Sequence, residues 1–365
     1  MKTLLIVGLV LVVSVSQAAV LRVASDGTQP YAVVQDAINA ASAGDTILIM
    51  AGSYPGFTVD RKLVLIGTGT GIGVGEGVLV IGPVWVSAAA DSSELRSLWI
   101  RTAAFHASVD SLTAVLRIQS GATRVFVWRC FLESNTTGSY TSAAWVGVNA
   151  SADFVQCTLW PGSVDGNSTA HYGLLQKAGS NVTVRSCVIA NAQVAFYRFG
   201  TNAGATLTVQ HCIATCYAVG QIPFYTEASG VVENSAFMGQ AGYTQTYVNA
   251  PNMIYNYCAY TISSPPGITH IATTTAAFVN MILYNARDSD FRLAAGSNLI
   301  DAGNPGSPND LDNSLADIGV YGGQHPYVDG GVPDYPFAVQ VEVPYSAPLN
   351  GTMRIWGRGR VGPGY

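Results

Sequence analysis

A six-residue pattern of apolar and polar positions recurs through the middle of the chain. It is typical of a short strand, two outward turn residues and a second short strand whose first and third residues point inward. Another β-rich run, such as Ala114–Ile118, stands about ten residues before each copy. Three short strands in every 23–32 residues predict one coil of a parallel β-solenoid. The pattern occupies Leu95–Ile100, Val127–Leu132, Phe154–Leu159, Val184–Ile189, Val209–Ala214, Val232–Phe237 and Tyr255–Tyr260.

Five of the six cysteines stand at the fourth position of this pattern. They are Cys130, Cys157, Cys187, Cys212 and Cys258, and Ser235 takes the same position in the remaining copy. Cysteines at one repeating position favour a stacked, buried column of free thiols, and disulfide bridges are the alternative. The preceding turn residues share no common chemistry, so His211 among them is expected to be solvated.

Composition supports an all-β fold and narrows the function. The chain of 365 residues is 49% hydrophobic, only 11% charged and carries 39 glycines, which excludes a disordered protein. Its pI of about 5.5 and its three lysines do not indicate the basic surface that nucleic-acid binding requires.

The N-terminus has the features of a secretory signal peptide. A basic start at Lys2 is followed by an apolar run over 4–15 and by small residues ending at Ala18. We expect cleavage near Ala18 and a protein that is secreted or held at the cell surface. The run is too short to span a membrane comfortably, and no later segment is long and apolar enough.

Two further segments resemble bacterial secreted members of the pectin-lyase-like superfamily. Residues 31–57 resemble their entry segment, an amphipathic helix that leads through Gly44 and Asp45 into the first strand. Residues 290–306 and 316–324 are similar to their closing segment. The resemblance implies a right-handed parallel β-helix over 19–330 with an N-terminal helical cap. Residues 331–365 are expected to form a short β appendage or a truncated C-terminal module.

That resemblance implies a polysaccharide-binding groove along one strand face, but it fixes no single activity. Alternation places aromatic and cationic side chains outward, where rings suit the apolar faces of sugars and arginine suits carboxylates. The alternative is a one-residue slip that would make these rings part of the core. The candidate ligand-binding residues are Arg117, Trp145, His171, Tyr197, Tyr225 and Tyr247.

A lyase needs a base beside a neutralised carboxylate. Tyr172, Lys177 and Arg198 are the candidate catalytic residues, with Asp165 in a nearby loop. The alternative is that these are ordinary solvated side chains. Paired carboxylates on adjacent coils are missing from the sequence, which disfavours a hydrolase.

Asp310, Asp312 and Asp317 offer oxygen ligands at a spacing that could suit Ca²⁺. The alternative is a capping loop held by backbone hydrogen bonds. The leading hypothesis is a secreted or surface β-helix protein that binds a polysaccharide or glycan. A polysaccharide lyase and a purely structural spacer are the two alternatives.

Overall fold

The computed structural model describes residues 18–71, 77–102, 113–134, 141–161, 171–198, 200–216, 222–239, 247 and 249–328, and the backbone of 337–342 and 356–360. The predicted signal peptide lies outside these residues except for Ala18. One α-helix, α1, spans Val34–Ala40, and 3₁₀ turns span Ala88–Ala90 and Thr275–Ala277.

The strands follow one another in short segments of two to six residues. The first coils contain β1 (Val20–Val23), β2 (Thr46–Ile49), β3 (Gly52–Pro55), β4 (Thr58–Val59), β5 (Val64–Gly67), β6 (Val78–Ile81), β7 (Val84–Val86), β8 (Glu94–Arg96) and β9 (Trp99–Thr102). The middle coils contain β10 (Thr113–Ile118), β11 (Val125–Trp128), β12 (Phe131–Ser134), β13 (Thr141–Val146), β14 (Ser151–Val155), β15 (Thr158–Trp160), β16 (His171–Gln176), β17 (Asn181–Arg185), β18 (Val188–Ile189), β19 (Val194–Arg198), β20 (Thr206–Gln210) and β21 (Ile213–Cys216). The last coils contain β22 (Ile222–Tyr225), β23 (Ser229–Glu233), β24 (Ala236–Gly239), β25 (Met253–Asn256), β26 (Ala259–Tyr260) and β27 (Ile271–Ala272). After them come β28 (Phe278–Asn280), β29 (Asp290–Leu293), β30 (Phe337–Glu342) and β31 (Trp356–Arg360).

These strands form three long parallel sheets. Sheet A joins β1, β2, β5, β8, β11, β14, β17, β20, β23 and β25, and sheet B joins β3, β6, β9, β12, β15, β18, β21, β24, β26 and β27. Sheet C joins β4, β7, β10, β13, β16, β19 and β22. From β2 to β24, successive strands join sheets A, B and C in turn. The predicted parallel β-helix is therefore confirmed, with about eight turns.

The corner between sheets A and B explains the repeating pattern. The residue before each column position has a positive φ between 49° and 56°, as at Arg129, Ser186 and His211. This left-handed conformation turns the chain in one residue, and non-glycine residues adopt it rarely. The expectation of two turn residues needs correction, because the first of each pair, such as Arg185, still belongs to the sheet A strand.

The column itself lies in the interior. All six cysteines are buried and free, which confirms the prediction of unbridged thiols. Val127, Cys130 and Leu132 all belong to the core cluster, as the alternation predicts.

The chain after β27 does not continue the coils. Residues 273–328, here called the strap, fold back over the outer face of sheet B. Side chains from both sides form a second apolar cluster, in which Phe131, Trp160 and Met238 of the sheet meet Phe278, Phe291, Leu299 and Ile318 of the strap. From β9 onward, the outer face of sheet B is therefore covered by the strap.

A buried carboxylate fixes the strap near β12. Glu133 is 4% exposed and accepts hydrogen bonds from Arg287 Nη2 at 2.6 Å to each of its oxygens. Trp99 Nε1 donates to the same carboxylate at 2.8 Å. The Arg287 guanidinium also lies over the rings of Trp99 and Trp160.

The two ends of the chain have their own elements. Helix α1 buries Val34, Ala37 and Ile38 and packs against β1 and β2. Its predicted role as a cap stays a prediction. In the region predicted to be an appendage, β30 and β31 pair as an antiparallel hairpin.

Candidate functional site

The outer face of sheet C carries a continuous column of large side chains. The strand register aligns Trp85, Arg117, Trp145, Leu175, Tyr197 and Tyr225 across six neighbouring strands. The residues before them, including Leu116, Phe196 and Phe224, lie in the interior core. Since side chains alternate along a strand, the column faces away from the core.

Cations pack on the tryptophans at one end of this column. The Arg117 guanidinium carbon lies 3.7 Å from the centre of the Trp145 ring and 5.7 Å from that of Trp85. Lys177 Nζ is 5.5 Å from the Trp145 ring. Such contacts are cation–π interactions, and they help to explain why Trp145 is only 2% exposed although it lies outside the core.

Tyrosines form a stack at the other end. The rings of Tyr172 and Tyr197 are nearly parallel with centroids 3.8 Å apart, and the rings of Tyr197 and Tyr225 are 5.6 Å apart. Tyr172 is buried, whereas Tyr197 and Tyr225 are half-buried. Arg198 lies over Tyr225 at 5.0 Å and forms an ion pair with Glu227. The arrangement is a preformed aromatic platform with fixed cations beside it.

His171 lies under the surface. It is 2% exposed, and its Nδ1 is 2.5 Å from Thr141 Oγ1. Burial lowers the pKa of His171, so the imidazole is neutral at pH 7. Because His171 is buried, it is not placed to contact a ligand on this face directly. Asp165, which the sequence analysis placed nearby, lies outside the described residues.

Tyr247 needs a correction. It is 5% exposed, belongs to the interior core and packs edge-on against Phe237 and Tyr255. Burial raises the pKa of its hydroxyl well above the ordinary value. Tyr247 is a core residue and takes no part in the sheet C face, because its side chain packs inward against Phe237 and Tyr255.

The candidate catalytic residues do not converge on one point. Tyr172 and Lys177 lie at opposite ends of β16, five residues apart, which corresponds to roughly 16 Å along a strand. Arg198 pairs in register with Gln176, beside Lys177, and is engaged by Glu227. The side chains of Lys177 and Arg198 also point apart, because Lys177 lies over Trp145 of β13 and Arg198 over Tyr225 of β22.

The acidic segment of the strap serves as a hydrogen-bonded loop. Asp310 accepts the backbone N–H groups of Asp317 and Gly323. Asp312 accepts the backbone N–H and the hydroxyl of Ser314, and Asp317 accepts the backbone N–H of Asp301 at 2.8 Å. Across the described residues, no three His, Cys, Asp or Glu side chains come close enough together to hold a metal ion. These hydrogen bonds favour the capping loop held by backbone donors, and the Ca²⁺ site stays a prediction.

Two residues were missed or misplaced by the sequence analysis. Trp85 belongs to the outer column, and the alternation of Val84, Trp85 and Val86 was the signal that could have revealed it. His211 is not a solvated turn residue but half-buried beneath the strap. Its burial lowers its pKa, opposed by the nearby charge of Asp310.

Similarity to known proteins is found among solved structures. The chain matches no protein-family profile and no curated protein sequence. Among solved structures it is similar to the pectin methylesterase from carrot, with 16% identity over 71% of this chain and 90% of that chain and a TM-score of 0.42. It is also similar to the pectin methylesterase of Erwinia chrysanthemi (14% identity, 71% and 93% covered, TM-score 0.39) and to a pectate lyase (14%, 84% and 97%, TM-score 0.35).

The fold assignment itself rests on the strand topology of this chain. No helix within the described part of the chain is long and apolar enough to cross a membrane.

Proposed function

We propose that this chain is an exported carbohydrate-binding protein whose ligand is a polysaccharide lying along the outer face of sheet C. The observation that carries the proposal is the stack of Tyr172, Tyr197 and Tyr225 beside the cation-covered Trp145. Stacking fixes these rings before any ligand arrives and turns their edges and hydroxyls, rather than the faces of Tyr197, toward a ligand. Tyrosine edges combine apolar C–H groups with a hydroxyl, which suits the mixed C–H and hydroxyl surface of a sugar chain.

The direction of the column suits a linear ligand. Neighbouring strands of a sheet are about 4.8 Å apart, so six strands extend the column over roughly 24 Å along the solenoid axis. Arg117 and Arg198 stand at separate points of this column, and a guanidinium can bind a carboxylate with two parallel hydrogen bonds. An acidic polysaccharide would use both the rings and the arginines.

Binding is favoured over catalysis by the separation of the candidate catalytic groups. A general base acts only within hydrogen-bond reach of the proton that it removes. Tyr172 is stacked and buried, and Arg198 is held by Glu227. The lyase hypothesis remains the alternative, with Lys177 as its residue most open to test.

The test is retention of the purified mature chain on a panel of immobilised neutral and uronate-containing polysaccharides. Tyr197→Ala and Tyr225→Ala are each expected to weaken binding about five-fold, since one aromatic contact contributes roughly 1 kcal/mol. Phe126→Ala is the matched control, because Phe126 is an aromatic residue 40% exposed on sheet A. Equal retention of all three variants would refute the sheet C site.

The same panel separates the alternatives. Release of reducing ends or ultraviolet absorbance from unsaturated uronates, lost in Lys177→Ala and kept in Phe126→Ala, would establish the lyase. Neither turnover nor retention on any polysaccharide would leave the structural spacer as the better description.

A further inference from the structure

A cavity lies away from sheet C, between the strap and the corner where sheets A and B meet. Its volume is about 400 Å³, within the range of small-molecule sites. On the solenoid side the last residues of β17, β20 and β23 stack in register, namely Arg185, Gln210 and Glu233. On the strap side it is lined by Asn304, Ser307 and the segment from Gly322 to His325.

Glu233 holds the two walls together. Asn304 Nδ2 donates to its Oε1 at 2.5 Å, and Ser307 Oγ donates to its Oε2 at 3.1 Å. Asn234, next along the chain, accepts the backbone N–H of Asn304 at 2.8 Å. The carboxylate is thus already supplied with donors from the strap, and the cavity is built rather than left between loosely touching loops.

The remaining polar groups at the other end are chiefly donors. Arg185 Nε donates to Gln210 Oε1 at 3.0 Å, which orients the guanidinium. Among the residues that the structure describes, its two terminal nitrogens and the Gln210 amide nitrogen make no hydrogen bond. Arg185 is two coils away from Glu233, which is roughly 10 Å at the spacing of parallel strands. Its positive charge is therefore separated from the carboxylate.

The opposite wall and the floor of the cavity add further polar groups. Gln324 and His325 are exposed at its rim. His211 lines it, and its Nδ1 is buried without a hydrogen-bond partner within the described part of the chain. Gly322 leaves this space open, because a Cβ there would overlap the Asp317 carbonyl oxygen and crowd His211.

We infer that this cavity binds a small polyhydroxylated oxyanion, with its carboxylate or phosphate group on the fork of Arg185 and its hydroxyls on Gln210 and the rim. A guanidinium presents parallel N–H groups that match two oxygens of either anion. The neighbouring amides can both donate to and accept from hydroxyl groups. This site is separate from the polysaccharide surface and does not depend on it.

The experiment is calorimetric titration of the full mature chain with glucuronate, glucose and inorganic phosphate. Glucuronate and glucose differ by one carboxylate, so glucuronate is expected to bind at least about ten-fold more tightly. Phosphate binding stronger than glucuronate binding would identify a phosphate ester as the natural type of ligand, and the reverse would identify a carboxylate.

Arg185→Gln is expected to weaken binding of the anion at least about ten-fold. Arg185 is exposed, so the substitution leaves the core intact. Arg129→Gln is the matched control, since Arg129 Nε donates to Gln156 Oε1 at 2.9 Å in an equivalent contact outside the cavity. His325→Ala, at the exposed rim, is a second variant expected to weaken binding.

Three results would overturn the inference: no saturable heat with either anion, equal affinity for glucose and glucuronate, or unchanged affinity in Arg185→Gln. Phe126→Ala, outside both proposed sites, is expected to leave glucuronate binding unchanged. Loss of glucuronate binding in Arg185→Gln with unchanged retention on the polysaccharide panel would assign the bound glucuronate to this cavity and keep the two proposals distinguishable.

Discussion

Replacing Arg287 with methionine is expected to loosen the strap from sheet B. In the native protein Arg287 supplies two hydrogen bonds to the carboxylate of Glu133, which is 4% exposed. The variant keeps an apolar side chain over Trp99 and Trp160 but leaves the buried carboxylate without its closest cation. Trp99 Nε1 and the more distant Arg101, at 3.7 Å, are then its remaining partners.

The size of the effect follows from burial. Removing one partner of a fully buried ion pair costs about 3–5 kcal/mol. The Arg287 side chain is 31% exposed, so water can reach the vacated space and replace part of what is lost. We therefore expect a loss of about 2 kcal/mol, which corresponds to an approximately 30-fold increase in the population of the open strap.

Native-state proteolysis with thermolysin measures this opening without depending on arginine as a cleavage residue. The cleavage rate within the strap is expected to rise about 30-fold when opening is in rapid equilibrium. Glu133→Gln should also loosen the strap. In the double variant Glu133→Gln/Arg287→Met, the change in the free energy of strap opening should be smaller than the sum of the two single changes, because the unpaired charge has been removed.

Arg292→Met is the control within the same segment. Arg292 is 50% exposed and pairs with Asp290 at 2.6 Å, a surface contact worth less than about 1 kcal/mol. If Arg287→Met and Arg292→Met raise the cleavage rate equally, or if the Glu133 and Arg287 effects are additive, the buried pair does not hold the strap.

Two further predictions concern stability and thiol chemistry. Burial raises the pKa of Asp317 from 3.8 to about 6, so its contribution to stability is complete below pH 3.8 and is lost as the pH rises through 6. Asp317→Asn should therefore raise the free energy of unfolding at pH 7.5 by about 1 kcal/mol, a value that allows for the partial exposure of the side chain. At pH 3.5 the same variant should show no gain. Urea titrations at the two pH values measure this difference, and equal gains at both would refute it. Burial raises the pKa of the Cys187 thiol and shields it from solvent. A thiol reagent should therefore modify the cysteines of the native chain only at the rate of unfolding. Immediate modification would contradict the buried column of cysteines.

The solenoid could be predicted from the sequence because each coil repeats the same local pattern. Val127, Cys130 and Leu132 alternate inward, and the structure confirms them as core residues. The conformation of the corner could not be recognised in the same way. Arg129, Ser186 and His211 have little in common as residue types, yet all adopt a positive φ. Stacking of neighbouring coils, rather than local preference, selects that conformation.

The strap could not be predicted because its contacts join distant parts of the chain. Glu133 and Arg287 are 154 residues apart, and neither belongs to a recognisable motif. A signal was nevertheless present in sheet B. Phe131 and Trp160 occupy outward positions, and such large apolar residues indicate a face that something else must cover. The misplacement of His211 has the same origin, since the strap buries a turn that would otherwise be solvated.

The strap also determines where a ligand can bind. A three-sided solenoid offers three outer faces, and packing of the strap on sheet B removes one of them. The aromatic column then lies on sheet C, while the strap margin creates the cavity at the corner of sheets A and B. The two proposed sites therefore depend on the strap differently. The open strap cannot supply the second wall of the cavity, so that state cannot bind a ligand there, whereas the Tyr197–Tyr225 platform is still able to bind.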